Sequence, residues 1–234
     1  MCGIIRRCFE IKKRDTLTLR FSEDAKIEAG VDEAGRGCFW GPLVAGAVVW
    51  PQEADWTEEH KSLAPQIQDS KLISKKRREV LATSIKKLAL SYGIGVVEAS
   101  EIDAMGMTYA NQEAFRRALT SVVYDRALID GILSIEMGSK DIETIVDGDA
   151  KYLPIAAASI LAKVAHDEII TKWCAENVVE GERYNLMSCM GYGTLRHRDA
   201  IKEHGLIEHH RRLFMKNTLP SSMQSSKTEC LIQD

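Results

Sequence analysis

The chain has 234 residues, 45% of them hydrophobic, a formal net charge of −3 and six cysteines. That length suits one domain with appended segments, and the apolar content fills a sizeable core. No apolar run is long enough to span a membrane, and the cysteines (Cys2, Cys8, Cys38, Cys174, Cys189, Cys230) have neither a CxxC pair nor metal-ligand spacing, so a helical membrane protein and a cysteine-bound metal site are excluded.

Reduced thiols fit a cytoplasmic setting. The acidic balance counts against a binder of polyanions by bulk charge, yet the field that matters is local, and bound cations add positive charge.

In chain order, residues 1–27 read as an N-terminal extension, basic and apolar, without the apolar stretch and cleavage site of a secretory signal. Strands are expected over 28–32 and 43–50 (LVAGAVVW), with glycine and proline between them. From Lys75 to Ser91, Leu81, Ile85 and Leu88 recur at helical spacing, and Lys75, Lys76, Arg77, Arg78, Lys86 and Lys87 cover the remaining surface. A strand is expected over 92–100 and a helix over 111–124, with Ala114, Ala118, Leu119 and Val122 facing the core. Short strands follow at 127–130 and 143–147. Next comes a helix over 154–173, whose small residues allow close approach to a sheet. A last helical region covers 195–204, and 217–234, rich in Ser, Thr and Gln, reads as a disordered tail. Alternating strands and helices predict an α/β domain around a mixed central sheet flanked by helices, with a small helical C-terminal region.

Four acidic residues fall at the ends of these strands or just beyond: Asp32 and Glu33 in GVDEAGRG, Asp130 in LIDG and Asp149 in VDGDAKY. Singly, each reads as an ordinary turn or solvated loop. As a set they suit phosphodiester hydrolysis, because strand ends are where an α/β sheet presents functional groups. Two Mg²⁺ ions about 4 Å apart can acidify a water and neutralise a leaving oxygen. Carboxylates crowded together without cations raise one another's pKa, so such a cluster implies a metal. Strand alternation sends Asp32 and Glu33 to opposite faces unless the strand ends or bulges there, and the glycines at 35 and 37 make a break plausible. The turn Gly35-Arg36-Gly37 lets backbone approach a ligand closely, and exposed main-chain groups can read a ribose 2′-hydroxyl. Arg36 suits a phosphate contact or a role in organising the turn.

GVDEAGRGCFWGPLVAGAVV, DSKLISKKRRE (69–79), LIDG, GDAKYLPIAAASILAKV (148–164), GYGTLRH (191–197) and HGLIEHHRRLF (204–214) resemble, in order, the motifs of the ribonuclease HII family. The resemblance covers roughly residues 28 to 215, and it places the catalytic domain at 28–216. It implies a ribonuclease H-like fold and two divalent cations, Mg²⁺ or Mn²⁺, on Asp32, Glu33, Asp130 and Asp149. In that set Asp32 bridges both ions, and Glu33 contributes in part through its main-chain carbonyl. It further implies that Gly35, Arg36 and Gly37 sense the 2′-hydroxyl, that Tyr192 stacks on the sugar beside the scissile linkage, and that Lys71 contacts a phosphate. The implied substrates are RNA–DNA hybrids and duplex DNA containing ribonucleotides, cut 5′ of the ribonucleotide by a cytoplasmic monomer. A related nuclease of the same fold acting on DNA, and a degenerate hybrid-binding module, are the competing readings.

Four positions depart from the family pattern. Asp147 adds a second Asp-Gly pair, which leaves the third and fourth acidic assignments ambiguous on local pattern. Asp149 is taken as the fourth because it directly precedes AKYLPIAAASILAKV. Met190 stands in place of a lysine, His166 of an arginine and Leu213 of a serine. His197, His209 and His210 are expected in structural or phosphate-contact roles, and Trp40 and Trp50 in the core.

Overall fold

The computed structural model describes residues 17–215. The expected tail and the first sixteen residues of the extension lie outside that range. Five strands form one mixed sheet: β1 (Glu28–Ala34), β2 (Leu43–Val49), β3 (Ser91–Val97), β4 (Arg126–Asp130) and β5 (Asp141–Ile145), in the order β3-β2-β1-β4-β5. β1 runs antiparallel to β2 and parallel to β4, and β5 is parallel to β4. The helices are α1 (Glu58–Leu63), α2 (Lys75–Leu88), α3 (Ala99–Met105), α4 (Met107–Thr120), α5 (Leu153–Glu176), α6 (Val178–Arg183), α7 (Leu186–Cys189) and α8 (Leu195–His204). The α/β class and the mixed sheet expected from the sequence are both present.

Two helices cover the two faces of the sheet, and small residues set how closely they approach. The alanine-rich stretch of α5 lies against β1 and β2. A Cβ added at Gly46 would stand 2.5 Å from the Ala158 carbonyl oxygen, and one at Gly30 would stand 2.2 Å from the Pro154 carbonyl carbon. On the opposite face, β3 meets α4 just as tightly at Gly93 and Gly95, each 2.0 Å from a helix carbonyl oxygen by the same measure. Ala29, Val31, Ala114, Phe115 and Ala118 fill the core on the α4 side; Val48, Leu81, Ile85, Ala157 and Leu161 fill the α5 side. A third cluster, around Trp40, Ile170, Tyr184 and Ile201, ties the C-terminal helices to the domain. Trp40 and Trp50 are buried, as expected.

Several boundaries differ from the sequence reading. β3 stops at Val97 because Glu98 caps α3 reciprocally with Glu101, an element the sequence reading extended as strand. α4 starts at Met107, a turn earlier than expected, because Gly106 at φ 81° separates it from α3. β5 ends at Ile145, since Asp147 turns the chain in the left-handed region at φ 52°. Residues 17–27 lie against the domain: Leu17 and Leu19 join the α5-side core, and Thr18 exchanges main-chain hydrogen bonds with Lys151 and Leu153. No helix among the described residues is long and apolar enough to cross a membrane.

Candidate active site

β1 and β4 lie side by side and parallel, so their C-terminal ends open on the same edge of the sheet. Asp32 lies near the end of β1, Asp130 is the last residue of β4, and Asp149 sits in the short 3-10 turn after β5. Their carboxylate oxygens lie within 4.8 Å of one another. Asp130 fixes the turn that carries Asp149, because its Oδ1 accepts the Gly148 N–H at 2.7 Å. The ambiguity between Asp147 and Asp149 has a geometric outcome: Asp149 is buried beside the other two, and Asp147 is exposed.

Glu33 is placed differently. β1 stays regular through Ala34, with Asp32 opposite Gly46 and Glu33 opposite Ala45, so the break considered from the glycines does not occur. Strand alternation therefore puts Asp32 on the α5 face, where it meets Ser159, and Glu33 on the α4 face, where it meets Asn111. The Glu33 carboxylate stands outside the three-residue group and lies 3.6 Å from Arg36 Nη1.

Electrostatics matches the crowding. Burial pushes the Asp32 carboxyl well above its ordinary range, and the neighbouring charges of Glu33 and Asp130 push it further. Burial also raises Glu33, against the opposing pull of Arg36. Asp149 is raised by burial and by Asp130 and Asp69, with Lys71 opposing. Negative charge held this closely is destabilising on its own, so the cluster is matched to a cation. Carboxylate oxygens are hard donors, and a Mg²⁺ with oxygens at about 2.1 Å spans about 4 Å between opposite ligands. Oxygens of Asp32, Asp130 and Asp149 within 4.8 Å of one another are close to that spacing, so the donor set fits a divalent ion.

The other expected residues surround this cluster. Gly35 has φ 83°, and a Cβ there would strike the His166 ring at 2.5 Å. Gly37 is exposed, and a Cβ would meet only Tyr192, at 4.0 Å. Arg36 is exposed. Tyr192 is 39% exposed and pairs across an isolated bridge with Cys38, which brings it to the glycine turn. The Lys163 ammonium lies 5.5 Å from the centre of its ring. Burial, with Cys38 and Asp167 nearby, pushes the Tyr192 phenol up to about 12, so it stays protonated. Lys71 is exposed and reaches 3.9 Å from Asp149 Oδ2.

Not all of the α2 cations are free for a ligand. Arg78 donates to the Ser70 carbonyl at 2.8 Å and lies 3.9 Å from Asp167, and Lys87 pairs with Glu59 at 2.8 Å. Lys75 and Lys76 are exposed. The buried His166 stands 3.6 Å from the Cys38 thiol and 3.2 Å from Asp167. Burial holds that thiol up at about 12, so it is not a nucleophile.

Sequence reasoning assigned no role to Ser159 or Asn111. Ser159 stands beside Asp32 and lowers its carboxyl pKa, and its Oγ lies 2.9 Å from Ser70 Oγ, so it links the DSK segment to the cluster. The one signal for it was a lone hydroxyl in a run of alanines. Asn111 is 1% exposed beside Glu33.

The ribonuclease HII family profile matches residues 29–217. The chain belongs to the ribonuclease HII family. Its curated relatives include the ribonuclease HII of Caldanaerobacter subterraneus subsp. tengcongensis, 39% identical over 201 residues, 85% of this chain and 78% of that protein. The ribonuclease HII of Syntrophus aciditrophicus is also 39% identical, over 88% of this chain and 92% of that protein. Among solved structures, the ribonuclease H2 of Pyrococcus horikoshii OT3 superposes with a TM-score of 0.64 at 28% identity, covering 80% of this chain and 92% of that one. The chain is accordingly an endoribonuclease, a hydrolase of nucleic acid, and its cluster of three aspartates fits the divalent metals that the family uses.

Proposed function

We propose that the chain hydrolyses the RNA strand of RNA–DNA hybrids and cuts 5′ of single ribonucleotides embedded in duplex DNA, leaving a 3′-hydroxyl and a 5′-phosphate. The observation that carries this reading is the convergence of Asp32, Asp130 and Asp149 within 4.8 Å beside the glycine turn. These three carboxylates would hold paired Mg²⁺ or Mn²⁺ ions, with Glu33 completing the set from the other face of β1. Ions bound there supply Lewis acidity, lowering the pKa of the attacking water and neutralising charge on the departing 3′-oxygen.

The protein's own groups do the rest. Ser159 orients the Asp32 carboxylate, and the Gly148 N–H orients that of Asp130. Lys71, whose charge is opposed by burial but supported by Asp69, Asp149, Asp32 and Asp130, stays cationic and suits a phosphate contact. Gly35, Arg36 and Gly37 present main-chain groups to a 2′-hydroxyl, which donates and accepts hydrogen bonds where a deoxyribose offers none. The half-exposed Tyr192 ring closes that side and stacks on the sugar. The working species is a cytoplasmic monomer; the free, buried thiols Cys38, Cys174 and Cys189 fit a reducing compartment.

The test presents duplex DNA with one ribonucleotide, in Mg²⁺ or Mn²⁺, to the wild-type chain and to Asp130→Asn. The reading requires one cut 5′ of the ribonucleotide by wild type and severe impairment of the variant. Cutting of an all-DNA duplex at a similar rate supports a DNA nuclease instead, and tight binding without cleavage supports a hybrid-binding module.

A further inference from the structure

The glycine turn and Tyr192 come from segments far apart in the chain, yet two consecutive residues near the end of the described chain reach both. Arg211 is completely buried. Its guanidinium donates to three main-chain carbonyls around the turn: Arg36 at 3.1 Å, Gly41 at 2.9 Å and Pro42 at 2.8 Å. Among the described residues no carboxylate forms an ion pair with it: its hydrogen bonds go to carbonyl oxygens, its guanidinium lies 5.8 Å from the centre of the Phe214 ring, and a planar fork is the shape that can bind three carbonyls.

The preceding residue reaches Tyr192. His210 Nδ1 accepts the Ile207 N–H at 2.9 Å, its Nε2 lies 3.1 Å from His197 Nε2, and His197 Nδ1 lies 3.0 Å from the Tyr192 carbonyl oxygen. One proton arrangement satisfies these three contacts and leaves the Ile207 carbonyl, 3.2 Å from His210 Nδ1, without a proton from that ring. His210 Nε2–H donates to His197 Nε2, and His197 Nδ1–H donates to Tyr192, with both rings neutral. Burial disfavours the charged form of both rings. Main-chain bonds close the arrangement: Phe39 N–H to Gly191 at 2.8 Å, Gly41 N–H to His209 at 2.9 Å and Arg211 N–H to Phe39 at 2.8 Å. Asp103 anchors the segment from below by accepting the N–H groups of Arg212 and Leu213 at 2.9 and 2.8 Å.

We propose that His210 and Arg211 are positioning residues for ribonucleotide selection, fixing the separation between the glycine turn and Tyr192 from outside the metal cluster. The inference rests on the proposed function, since it assigns those two features to reading the sugar. The experiment measures kcat/KM on duplex DNA with one ribonucleotide for wild type, Arg211→Lys, His210→Asn, Tyr192→Ala and the two double variants that contain Tyr192→Ala. Thermal midpoints and Mn²⁺ affinity by calorimetry are measured alongside. Arg211→Lys keeps the charge and loses the fork; a displacement of about 1 Å in the turn costs roughly 100-fold. His210→Asn retains an acceptor for Ile207 and loses the donor to His197, a loss of about 10-fold, as for one hydrogen bond. Mn²⁺ affinity stays at the wild-type value in both. In the Tyr192→Ala background each adds little, the non-additivity of residues that act through one another. Should Arg211→Lys fail to fold, His210→Asn decides. Additive losses, or a parallel loss of Mn²⁺ affinity, overturn the inference while leaving the proposed function standing. A wild-type chain that leaves the ribonucleotide uncut overturns both.

Discussion

Replacing Gly46 with alanine tests how the packing of α5 on the sheet places the clustered carboxylates. Gly46 pairs with Asp32 across β1 and β2, and its missing side chain faces Ala158, the residue before Ser159. The added Cβ would lie 2.5 Å from the Ala158 carbonyl oxygen and 3.1 Å from the Ala162 nitrogen. A carbon–oxygen contact relaxes at about 3.3 Å or more, so helix and strand must part by roughly 0.8 Å, and both obstacles are backbone that no rotamer change removes. Overpacking of this kind costs about 1–3 kcal/mol, which for a domain of this size lowers the midpoint by roughly 2–12 °C. The same movement carries Ser159 away from Asp32, and displacement on this scale costs up to about 100-fold in rate. Thermal unfolding followed by circular dichroism and single-ribonucleotide cleavage read the two effects. Gly37→Ala is the stability control, since its Cβ meets only Tyr192 at 4.0 Å. A Gly46→Ala protein with wild-type midpoint and rate would refute the argument that close helix–sheet approach positions the site.

Asp130→Asn should lose at least about 100-fold in cleavage rate, as the metal role proposed for this carboxylate requires, while Asp147→Asn, exposed and in a backbone conformation asparagine tolerates, stays near wild type; steady-state kinetics of the two variants compares them. Asp32→Asn removes a buried carboxylate whose charge folding disfavours, so its midpoint in chelator should exceed that of wild type, and the rise that Mg²⁺ gives wild type should vanish; scanning calorimetry with and without Mg²⁺ reads both. The His210 ring is lowered by burial, and by the adjacent His197, from 6.5 to about 3. Between those values the unfolded chain binds the proton and the folded chain does not, so this group's effect is to make stability fall as pH drops from about 6.5 towards 3, with a slope approaching about 1.4 kcal/mol per pH unit. Urea midpoints across that range should therefore fall less steeply for His210→Asn than for wild type, and equal slopes would count against a neutral buried pair.

The parts of this molecule legible in the sequence are those governed by local pattern. Asp32 lies near the end of one apolar strand and Asp130 ends another, and strand alternation was enough to flag that Asp32 and Glu33 diverge. The structure resolved that tension by keeping β1 straight and placing Glu33 against α4. The turn at Asp147 was harder, because two aspartates one residue apart, in VDGDA, carry the same local signal, and only the left-handed turn at Asp147 separates the exposed acid from the buried one. Helix α3 was hidden because its cap is a pair of glutamates rather than a serine or threonine. Ser159, Asn111, His210 and Arg211 act through partners 13 to 175 residues away or across the sheet. Periodicity carries no information at such separations, so an arginine bound to three carbonyls reads like any surface arginine.

On the proposed function, Asp32, Asp130 and Asp149 share a divalent-metal centre at the strand ends. A crystal of this protein soaked in Mn²⁺ and measured for anomalous scattering tests it most directly. Density is expected within coordination distance of all three carboxylates. Density only elsewhere, in a protein that still cleaves in Mn²⁺, would contradict it.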